Sequence, residues 1–482
     1  MSVTTTALAP WSTSSSAPAE ARPQLTFDLD VEVCVVGGGI AGLLVALEAA
    51  RHGASVAVLE SHQVAWNASG HHLGTVRPGF GGDIADLIAR VGRDHAGRLW
   101  QLTRGGADHI RAMAAEMSDV ALTDGVLDVA NTDIGDRLAG RLQLLERFGA
   151  DVEGWPVERV RETLKTPRYF QAVHYPGAFH LHALNFTREL VSLAEQAGVR
   201  IFEQTPVISI DAAGLRKRIV TPLARMRASS IVLAGNVHLG SLFQRLSRTL
   251  LPVWRYAAVT EPLGDSLASA IDYRGAVVGS AGVDHYRIVD GDRLLWAGPV
   301  TTWNGNPRRF ASRVERHIRS VFPQLSGVKV ADIWSGATGE TVHGMPQIGQ
   351  LRHGFWVASG FGGQGLATSA MAAQLIAGAM FSSDDRWRLF SPFELVWAGG
   401  PAGRVAGQLV YSWWRGQAEL AGAFARYRER AGKRERQRDA RLAAASRAVR
   451  PTALRPTASA SQDVRPPQPA AAQRADGNLA GS

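Results

Sequence analysis

The chain has 482 residues, of which 45% are apolar and 20% are charged. This composition is typical of a globular protein with one or two sizeable cores, and it excludes disorder of the whole chain. The chain has one cysteine, Cys34, which excludes a disulfide framework and a zinc site built on several thiolates. We therefore expect a reducing, cytoplasmic location.

The net charge of +9 is concentrated near the C-terminus. Residues 424–482 hold 13 Lys and Arg and 5 Asp and Glu, so the first 423 residues carry a balance of only +1. A nearly neutral body argues against a nucleic-acid-binding surface, and we expect no nucleic-acid partner. Residues 1–27 are predicted to form a disordered arm, and residues 431–482 a tail that is first basic and then disordered and rich in Ala and Pro.

Hydropathy predicts neither a secretory signal nor a transmembrane segment. Residues 1–24 lack the charged start and the apolar run of a signal. The most apolar stretch, Val33–Leu47, contains four glycines and is too short to span a bilayer. The segment Val405–Trp414 is apolar and ends in two tryptophans; between a helix lying on a membrane and a packed terminal helix, we favour the packed helix.

The first motif predicts a dinucleotide site. Val31–Val36 is a β-branched run, and the glycine-rich turn Gly37–Gly42 follows it. A helical pattern over Leu43–His52 and a second strand, Ser55–Glu60, complete the order of strand, turn, helix, strand and acid. This pattern alone does not separate FAD from NAD.

Each residue type in this motif has a physical reason. Gly37 permits the tight turn, Gly39 lets the backbone approach a pyrophosphate, and Gly42 lets the helix pack closely on the strand. The helix N-terminus favours the negative charge of the phosphates. Glu60 lies 18 residues after Gly42, where a carboxylate can accept from both ribose hydroxyls.

Later segments favour FAD. A polar, glycine-rich loop, Trp66–Phe80, follows the second strand, and an apolar strand over Ser229–Gly235 ends in Ala-Gly. The strand and turn of Gly354–Gly365 precede a helical pattern over Leu366–Phe381. A second helix N-terminus aimed at the cofactor suits a flavin, whose reduced ring carries negative charge.

With these motifs the chain resembles the D-amino-acid oxidase-like FAD oxidoreductases and, within them, the γ-glutamylputrescine oxidase-like amine oxidases. The resemblance covers about residues 28–425. Besides the glycine-rich turn, its motifs are Ala68–Gly70, Pro78–Phe80, Tyr286–Gly298, Trp334–Gly336, Gly344–Gly349, Gly360–Gly365 and Phe393–Gly400.

The resemblance implies an α/β fold with a Rossmann-like FAD-binding domain that is discontinuous in sequence. A second domain, built on an antiparallel sheet, would cover the flavin and hold the substrate. The implied boundaries are 28–84, 177–250 and 328–382 for the FAD-binding domain, 85–176 and 251–327 for the substrate domain, and 383–430 for a C-terminal extension with a helix.

The resemblance also implies the residues that hold FAD. They are Gly37, Gly39, Ile40, Ala41, Gly42, Glu60, Ser61, Ser69, Gly70, His71, Val207, Ala234, Gly235, Gly349, Gly360, Gly362, Gly363, Gln364 and Gly365. Sarcosine oxidase-like members attach FAD through a cysteine late in the chain, which this sequence lacks. We expect noncovalent FAD; a covalent bond through His71 or His72 is the alternative.

Three positions depart from the family pattern near the expected active site. Amino-acid oxidases place a carboxylate-binding arginine two residues after the glycine of Trp334–Gly336, where this chain has Thr338. His343 replaces a common acid, and His71-His72 stands where amine-oxidase relatives have Arg-Asn. The missing arginine favours an amine over a simple amino acid as the substrate.

The implied reaction is oxidation of a secondary or primary amine, which could be γ-glutamylated. Hydride transfer to flavin N5 would give an imine that water hydrolyses, and oxygen or an electron-transfer acceptor would reoxidise the flavin. By family position, His72, Tyr286, Trp334 and His343 are the catalytic candidates on the substrate side. His180 and His182 have no accompanying acid or thiol in sequence, so no metal is expected.

Two alternatives remain open. A D-amino-acid or glycine oxidase or dehydrogenase would need a carboxylate-binding arginine from elsewhere, such as Arg255, Arg287 or Arg308. A flavin-bound scaffold would instead use the basic tail to contact RNA or a protein partner. The oligomeric state and the identity of the amine do not follow from the sequence.

Overall fold

A computed structural model describes residues 21–240, 242–279 and 284–448. The first twenty residues of the predicted arm and the last part of the predicted tail therefore lie outside the described residues. The chain divides into a large unit, Met1–Tyr427, and a second unit, Arg428–Ser482.

The described residues form two β-sheets and the helices that cover them. The strands are β1 Leu29–Val36, β2 Val56–Leu59, β3 Thr75–Val76, β4 Thr123–Val129, β5 Glu153–Trp155, β6 Ala172–His180, β7 Arg200–Phe202, β8 Ser209–Asp211, β9 Lys217–Val220, β10 Arg225–Leu233, β11 Leu251–Thr260, β12 Ala276–Gly279, β13 His285–Val289, β14 Arg293–Thr301, β15 Val330–Glu340, β16 Gln347–Arg352 and β17 Phe355–Ser359. The helices are α1 Ile40–Arg51, α2 Ala68–His71, α3 Ile84–Val91, α4 Arg93–Ala115, α5 Gly135–Arg147, α6 Val157–Leu164, α7 Ala183–Gln196, α8 Gln244–Ser247, α9 Asp265–Ala268, α10 Ala311–Val321, α11 Gly365–Phe381 and α12 Gly400–Ala448.

The first sheet has the order β16-β17-β10-β1-β2-β7, and the hairpin β8-β9 pairs with β10. Strands β17, β10, β1, β2 and β7 are parallel, whereas β16 and β9 pair antiparallel with their neighbours. The chain order reverses at β1, so a crevice opens at the carboxyl ends of β1 and its neighbours. Open α/β sheets bind ligands at such a reversal.

Apolar helices cover one face of this sheet. Helix α1 buries nine of its twelve residues and α11 eleven of its seventeen, so both lack a polar face. Helix α1 packs on α11 and α7, and α11 packs on α4. A parallel sheet requires this cover because both of its faces are apolar, and the cover fixes where α1 and α11 begin.

The second sheet has the order β15-β11-β14-β13-β12-β4-β6-β3, with β5 beside β6. It is antiparallel except for the parallel pair β4 and β12. Strands β3 and β15 pair here, although the sequence boundaries assign them to the FAD-binding segments 28–84 and 328–382. Local patterns predict a strand but not its partner, which explains the difference.

Helix α12 runs beyond the predicted extension. The sequence predicts that residues 431–482 form a basic tail, with a short helix that fades into disorder; in the structure the helix continues to Ala448. Alanine and arginine favour helix, and the Lys433 ammonium lies 2.8 Å from the Glu429 carboxylate one turn away. None of the described helices is long and apolar enough to cross a membrane.

Candidate active site

The turn between β1 and α1 has no room for side chains. Gly37 has φ +114°, and a Cβ there would lie 2.8 Å from the Gly235 amide nitrogen at the end of β10. A Cβ on Gly42 would lie 2.0 Å from the Gly37 carbonyl oxygen. Gly39 caps α1 without a side-chain hydrogen bond, and the next amide, that of Ile40, donates to Ser69 Oγ at 3.0 Å. The structure thus brings these predicted residues together around one helix N-terminus.

Glu60 ends β2 beside this turn and is buried. One carboxylate oxygen accepts from the Gly38 amide at 2.7 Å, and the other accepts from the His62 amide at 2.9 Å. The Ser61 hydroxyl donates to the same carboxylate at 3.2 Å. The acid is therefore held at the mouth of the crevice, where the sequence predicts the ribose contact.

The loop that follows β2 and contains α2 packs closely between the two sheets. A Cβ on Gly70 would lie 2.4 Å from the Ala65 carbonyl oxygen, and one on Gly336 in β15 would lie 2.8 Å from the Ala68 Cα. The Trp334 indole donates to the His71 carbonyl oxygen at 3.0 Å. Trp334 thus holds the loop through its backbone, and glycine at position 336 is needed for the close approach.

The imidazoles of this loop are buried polar groups that suit a bound polar ring. Within the described part of the chain, Nε2 of His72 lacks a hydrogen-bond partner, and the His71 ring meets only the backbone of Ser335. Burial lowers the pKa of His71 to about 4 and that of His72 to about 3, so both rings are neutral. Buried polar atoms are normally satisfied, and the polar edge of a flavin can supply the missing partner.

A buried basic cluster lies next to His72. The guanidinium of Arg287 in β13 donates to the carbonyls of Leu73 and Leu181, at 2.8 and 3.0 Å, and lies 2.8 Å from His180 Nδ1. Burial lowers the pKa of Arg287 to about 9. Burial, and then the Arg287 charge, lower the pKa values of His180 and His285 to about 3. The cluster is thus a region of positive potential with neutral imidazoles.

Two of the histidines in this region, His180 and His182, have other contacts in the structure. His182 caps α7, where its Nδ1 accepts from the Asn185 amide at 3.2 Å. His180 instead contacts Arg287, a cation. Across residues 21–240, 242–279 and 284–448, no group of three or more His, Cys, Asp or Glu is arranged to hold a metal ion.

The Tyr286 side chain packs among aromatic rings. Its ring stacks on Trp296 at 4.3 Å and meets Phe322 edge-on at 5.6 Å, inside the second hydrophobic core. Successive side chains of a strand point to opposite faces, so its neighbours His285 and Arg287 face the site. The Tyr286 ring therefore lies in the core while its role stays a prediction, and His285 is a further candidate that the sequence did not single out.

The second glycine turn lies at the start of α11. Gly360 and Gly362 have positive φ, +69° and +56°, and the tight turn Gly362–Gln364 leads directly into α11. With the Gln364 amide oriented to accept, its oxygen lies 3.1 Å from Arg77 Nε. On the other side, the Arg255 guanidinium lies against Gly363.

A cavity of about 460 Å³ adjoins Arg77. Its wall includes Tyr175, whose ring lies 5.6 Å from the Arg77 guanidinium carbon, and the predicted residue His343. His343 is fixed by two backbone contacts: its Nδ1 lies 3.2 Å from the Met345 amide and its Nε2 lies 3.2 Å from the carbonyl oxygen of Glu394, a residue of a later segment. Arg77 connects this cavity to the second glycine turn, a role that its loop position does not reveal in sequence.

Among the remaining predicted residues, Ala234 lies beside the first glycine turn, whereas Val207 and Gly349 pack elsewhere. Val207 is half-buried against the core of the first sheet, and the Ala234 amide donates to the Val36 carbonyl oxygen at 2.9 Å. Gly349 faces the Trp387 ring, which a Cβ would meet at 3.2 Å, so packing explains this glycine. A larger cavity, of about 950 Å³ beside α4, has none of the predicted residues in its wall.

Comparison with known proteins identifies the family. Residues 32–379 match the family described as FAD dependent oxidoreductase. The chain belongs to this family. FAD is therefore its cofactor, and the glycine turns, Glu60 and the unpartnered Nε2 of His72 are the parts of the structure that fit it.

The chain is similar in sequence to several curated oxidoreductases. The chain is 28% identical over 383 residues to a probable oxidoreductase, OrdL, of Haemophilus influenzae, covering 77% of this chain and 88% of the relative. It is 28% identical over 390 residues to gamma-glutamylputrescine oxidoreductase of Escherichia coli, covering 79% and 91%. Glycine oxidase of Bacillus licheniformis is 24% identical over 344 residues.

Solved structures show the same fold. Glycine oxidase from Bacillus cereus superposes with a TM-score of 0.63 at 20% identity, covering 75% of this chain and 98% of that one. L-proline dehydrogenase from P. horikoshii superposes with a TM-score of 0.62 at 17% identity. The family member therefore has the α/β architecture that its sequence predicts.

Proposed function

We propose that this FAD-dependent oxidoreductase oxidises the C–N bond of a primary or secondary amine to an imine, which water then hydrolyses. The observation that carries the proposal is Thr338, at the position where the resemblance expects a carboxylate-binding arginine. The Thr338 hydroxyl donates to the Val253 carbonyl oxygen at 3.3 Å, between neighbouring strands. A hydroxyl used in this way cannot bind a carboxylate in bidentate fashion.

Three other arginines could replace the missing carboxylate-binding arginine, but their surroundings do not suit that role. Arg255 forms an ion pair with Glu340, and Arg287 is buried against two carbonyls. Arg308 is exposed, in a turn next to Asn306. These surroundings disfavour a D-amino-acid or glycine oxidase, because the Arg255 and Arg287 guanidinium groups have other partners and Arg308 is exposed.

The cavity at Arg77 suits the distal part of an amine substrate. Its wall combines the aromatic rings of Phe80, Trp100 and Tyr175 with charged residues of both signs, which include Arg141 and Asp86. Aromatic rings attract an ammonium group, and paired charges suit a polar tail such as a γ-glutamyl group. The relative named gamma-glutamylputrescine oxidoreductase supports this class of substrate.

The chemical demands on the protein are modest. Bound FAD supplies a two-electron acceptor for the hydride. The protein must bind the amine in its neutral form, orient its C–H bond and limit access of water. His72 and His285 are neutral and lie next to the positive charge of Arg287. This charge disfavours a protonated amine at that end of the site, because the neutral imidazoles do not offset it.

The test is reduction of the purified holoprotein without oxygen. We expect an amine, such as a γ-glutamylated diamine or an N-alkyl amine, to bleach the flavin absorbance, whereas glycine and D-amino acids leave it unchanged. Admission of air then tests whether oxygen is the acceptor. Faster bleaching by glycine or a D-amino acid than by every amine would refute the proposal.

A matched variant tests the role of position 338. Thr338→Arg restores the family's arginine and is expected to lower KM for a small amino acid while raising KM for the amine. Thr301→Arg, at the end of another strand of the same sheet, controls for added charge. Equal amino-acid binding by wild type and Thr338→Arg would show that position 338 does not decide the substrate class.

We also propose that FAD is held without a covalent bond. The glycine turns and Glu60 supply its noncovalent contacts, and the chain has no late cysteine. Acid precipitation is expected to release all flavin into the supernatant. Flavin that stays with the pellet in wild type, but not in His71→Gln or His72→Gln, would instead establish a histidyl bond.

A further inference from the structure

Helix α12 exposes an apolar surface along the large unit. Over residues 400–427, sixteen positions are exposed and none is charged; apart from the two tryptophan N–H groups, only Ser412, Gln417 and the Tyr427 hydroxyl are polar. We call Val405, Leu409, Trp413, Leu420 and Tyr427 the outer stripe; these side chains are 51–74% exposed. Their spacing of four, four, seven and seven residues places them on one side of the helix.

The inner side of the same helix is polar. The charged residues of this stretch are Arg404, Arg415, Glu419 and Arg426, and all four are partly covered. An amphipathic helix on a globular protein normally turns its apolar side toward the core. Helix α12 has the opposite orientation.

Specific contacts fix this orientation along the helix. Gln408 accepts from the Thr302 amide at 3.0 Å, and the Arg404 carbonyl accepts from the Thr302 hydroxyl at 2.9 Å. Tyr411 donates to Glu340, and Glu419 accepts from Arg168 at 2.7 Å. A rotation that buried the outer stripe would break these bonds. The exposed apolar side is therefore a stable feature of the surface.

The composition of this surface favours a lipid bilayer as its occupant. Trp397, Trp413, Trp414 and Tyr427 are exposed aromatic residues with a polar edge, the type enriched where proteins meet the headgroup region. A helix-pairing seam instead carries charged residues beside a narrow stripe to set its register. Here the flanking positions include Val410, Gln417 and Ala421, which are uncharged.

The charge of the chain that follows identifies the kind of bilayer. Residues 428–482 contain 12 Lys and Arg and 5 Asp and Glu, whereas the first 423 residues are nearly neutral. A polybasic segment that follows an apolar helix side in the sequence is complementary to anionic headgroups. We propose that α12 binds the protein peripherally to an anionic membrane surface, with the outer stripe in the headgroup region and the basic segment adding electrostatic attraction.

The experiment is flotation of the full-length holoprotein with two kinds of vesicle. One is phosphatidylcholine alone, and the other is phosphatidylcholine mixed with phosphatidylglycerol. We expect binding to the mixed vesicles that salt weakens, and at least about tenfold weaker binding to the neutral ones. Equal binding to both kinds, or none to either, would overturn the proposal.

Variants separate the stripe from the rest of the surface. The double variant Leu409→Gln, Trp413→Gln is expected to weaken binding to mixed vesicles at least about tenfold, because each substitution replaces an apolar side chain of the outer stripe with a polar one. Leu215→Gln with Leu223→Gln changes two exposed leucines on other elements and is the matched control. Arg434→Gln with Arg436→Gln is expected to remove most of the preference for anionic lipid. Flavin absorbance confirms that each variant is folded.

A second occupant gives a different result in the same series. If the stripe instead pairs two copies of this chain, light scattering without vesicles will show a dimer that Leu409→Gln, Trp413→Gln dissociates. That outcome, or vesicle binding by this variant equal to that of wild type, would overturn the membrane proposal. None of these outcomes depends on which substrate the flavin accepts.

Discussion

Acid is expected to destabilise this protein well above the pH at which carboxylates titrate. His71, His180 and His182 are buried, with pKa values lowered to about 4, 3 and 4, mainly by burial. In the unfolded chain each has a pKa of about 6.5. Below that pH the unfolded state therefore binds more protons than the folded state, and stability falls as the pH falls.

The size of the effect follows from the shifts. Between pH 7.5 and pH 5.5, each of these three histidines should cost about 1.4 kcal/mol of unfolding free energy, and the three together about 4 kcal/mol. That is a large part of the ~5–15 kcal/mol by which proteins are stable. Asp284 and Glu48, whose pKa values are lowered, contribute losses only at lower pH, outside this window.

Urea unfolding of the holoprotein at pH 7.5, 6.5 and 5.5, followed by circular dichroism, measures this slope. His180→Gln should reduce the loss of stability between pH 7.5 and 5.5 by about 1.4 kcal/mol, since glutamine can still meet both Arg287 and the Arg274 carbonyl without titrating. His353→Gln, an exposed position, is the control. A stability that does not change between pH 7.5 and 5.5, or equal flattening by both variants, would refute the reasoning.

Three further predictions concern the flavin site. Gly42→Ala should abolish FAD retention, because a Cβ there lies 2.0 Å from a carbonyl oxygen, whereas Gly105→Ala, with open space around it, should purify yellow. Glu60→Gln should weaken FAD binding about tenfold in calorimetric titration, since a charged acceptor is worth ~1.5–3 kcal/mol; Glu195→Gln, at an exposed ion pair, should not. Trp334→Phe removes the hydrogen bond to the His71 carbonyl and should shift the flavin absorbance maximum, while Trp303→Phe at an exposed site leaves it in place. Unchanged FAD content in Gly42→Ala, or unchanged spectra in Trp334→Phe, would contradict the assignments.

The local parts of the site could be predicted from sequence. The turn Gly37–Gly42 and the acid Glu60 belong to one β-α-β unit, so their spacing alone determines that they meet. The turn Gly362–Gln364 is likewise set by a strand followed by a helix. Such short-range motifs carry their own geometry, and the structure places them around one crevice.

The long-range parts could not be predicted. Tyr286 and its neighbours alternate between two faces of a strand, and nothing local indicates which face meets the site. Arg77 reaches the second glycine turn from a loop whose path depends on both sheets. For α12, periodicity identifies an apolar side, but only the packed structure reveals that this side points outward.

The contact between Tyr411 and Glu340 ties the outer helix to the centre of the molecule. Glu340 also pairs with Arg255, and that guanidinium lies against Gly363 in the second glycine turn. Three side chains thus connect the inner side of α12 to the second glycine turn, which is predicted to face the flavin. Linkage between two sites is reciprocal. If an occupant of α12 stabilises one arrangement of these contacts, and reduction of the flavin favours the same arrangement, the helix binds its occupant more tightly when the flavin is reduced. The factor is the same as the one by which the occupant favours reduction. The affinity of the helix for its occupant would then report the redox state of the cofactor.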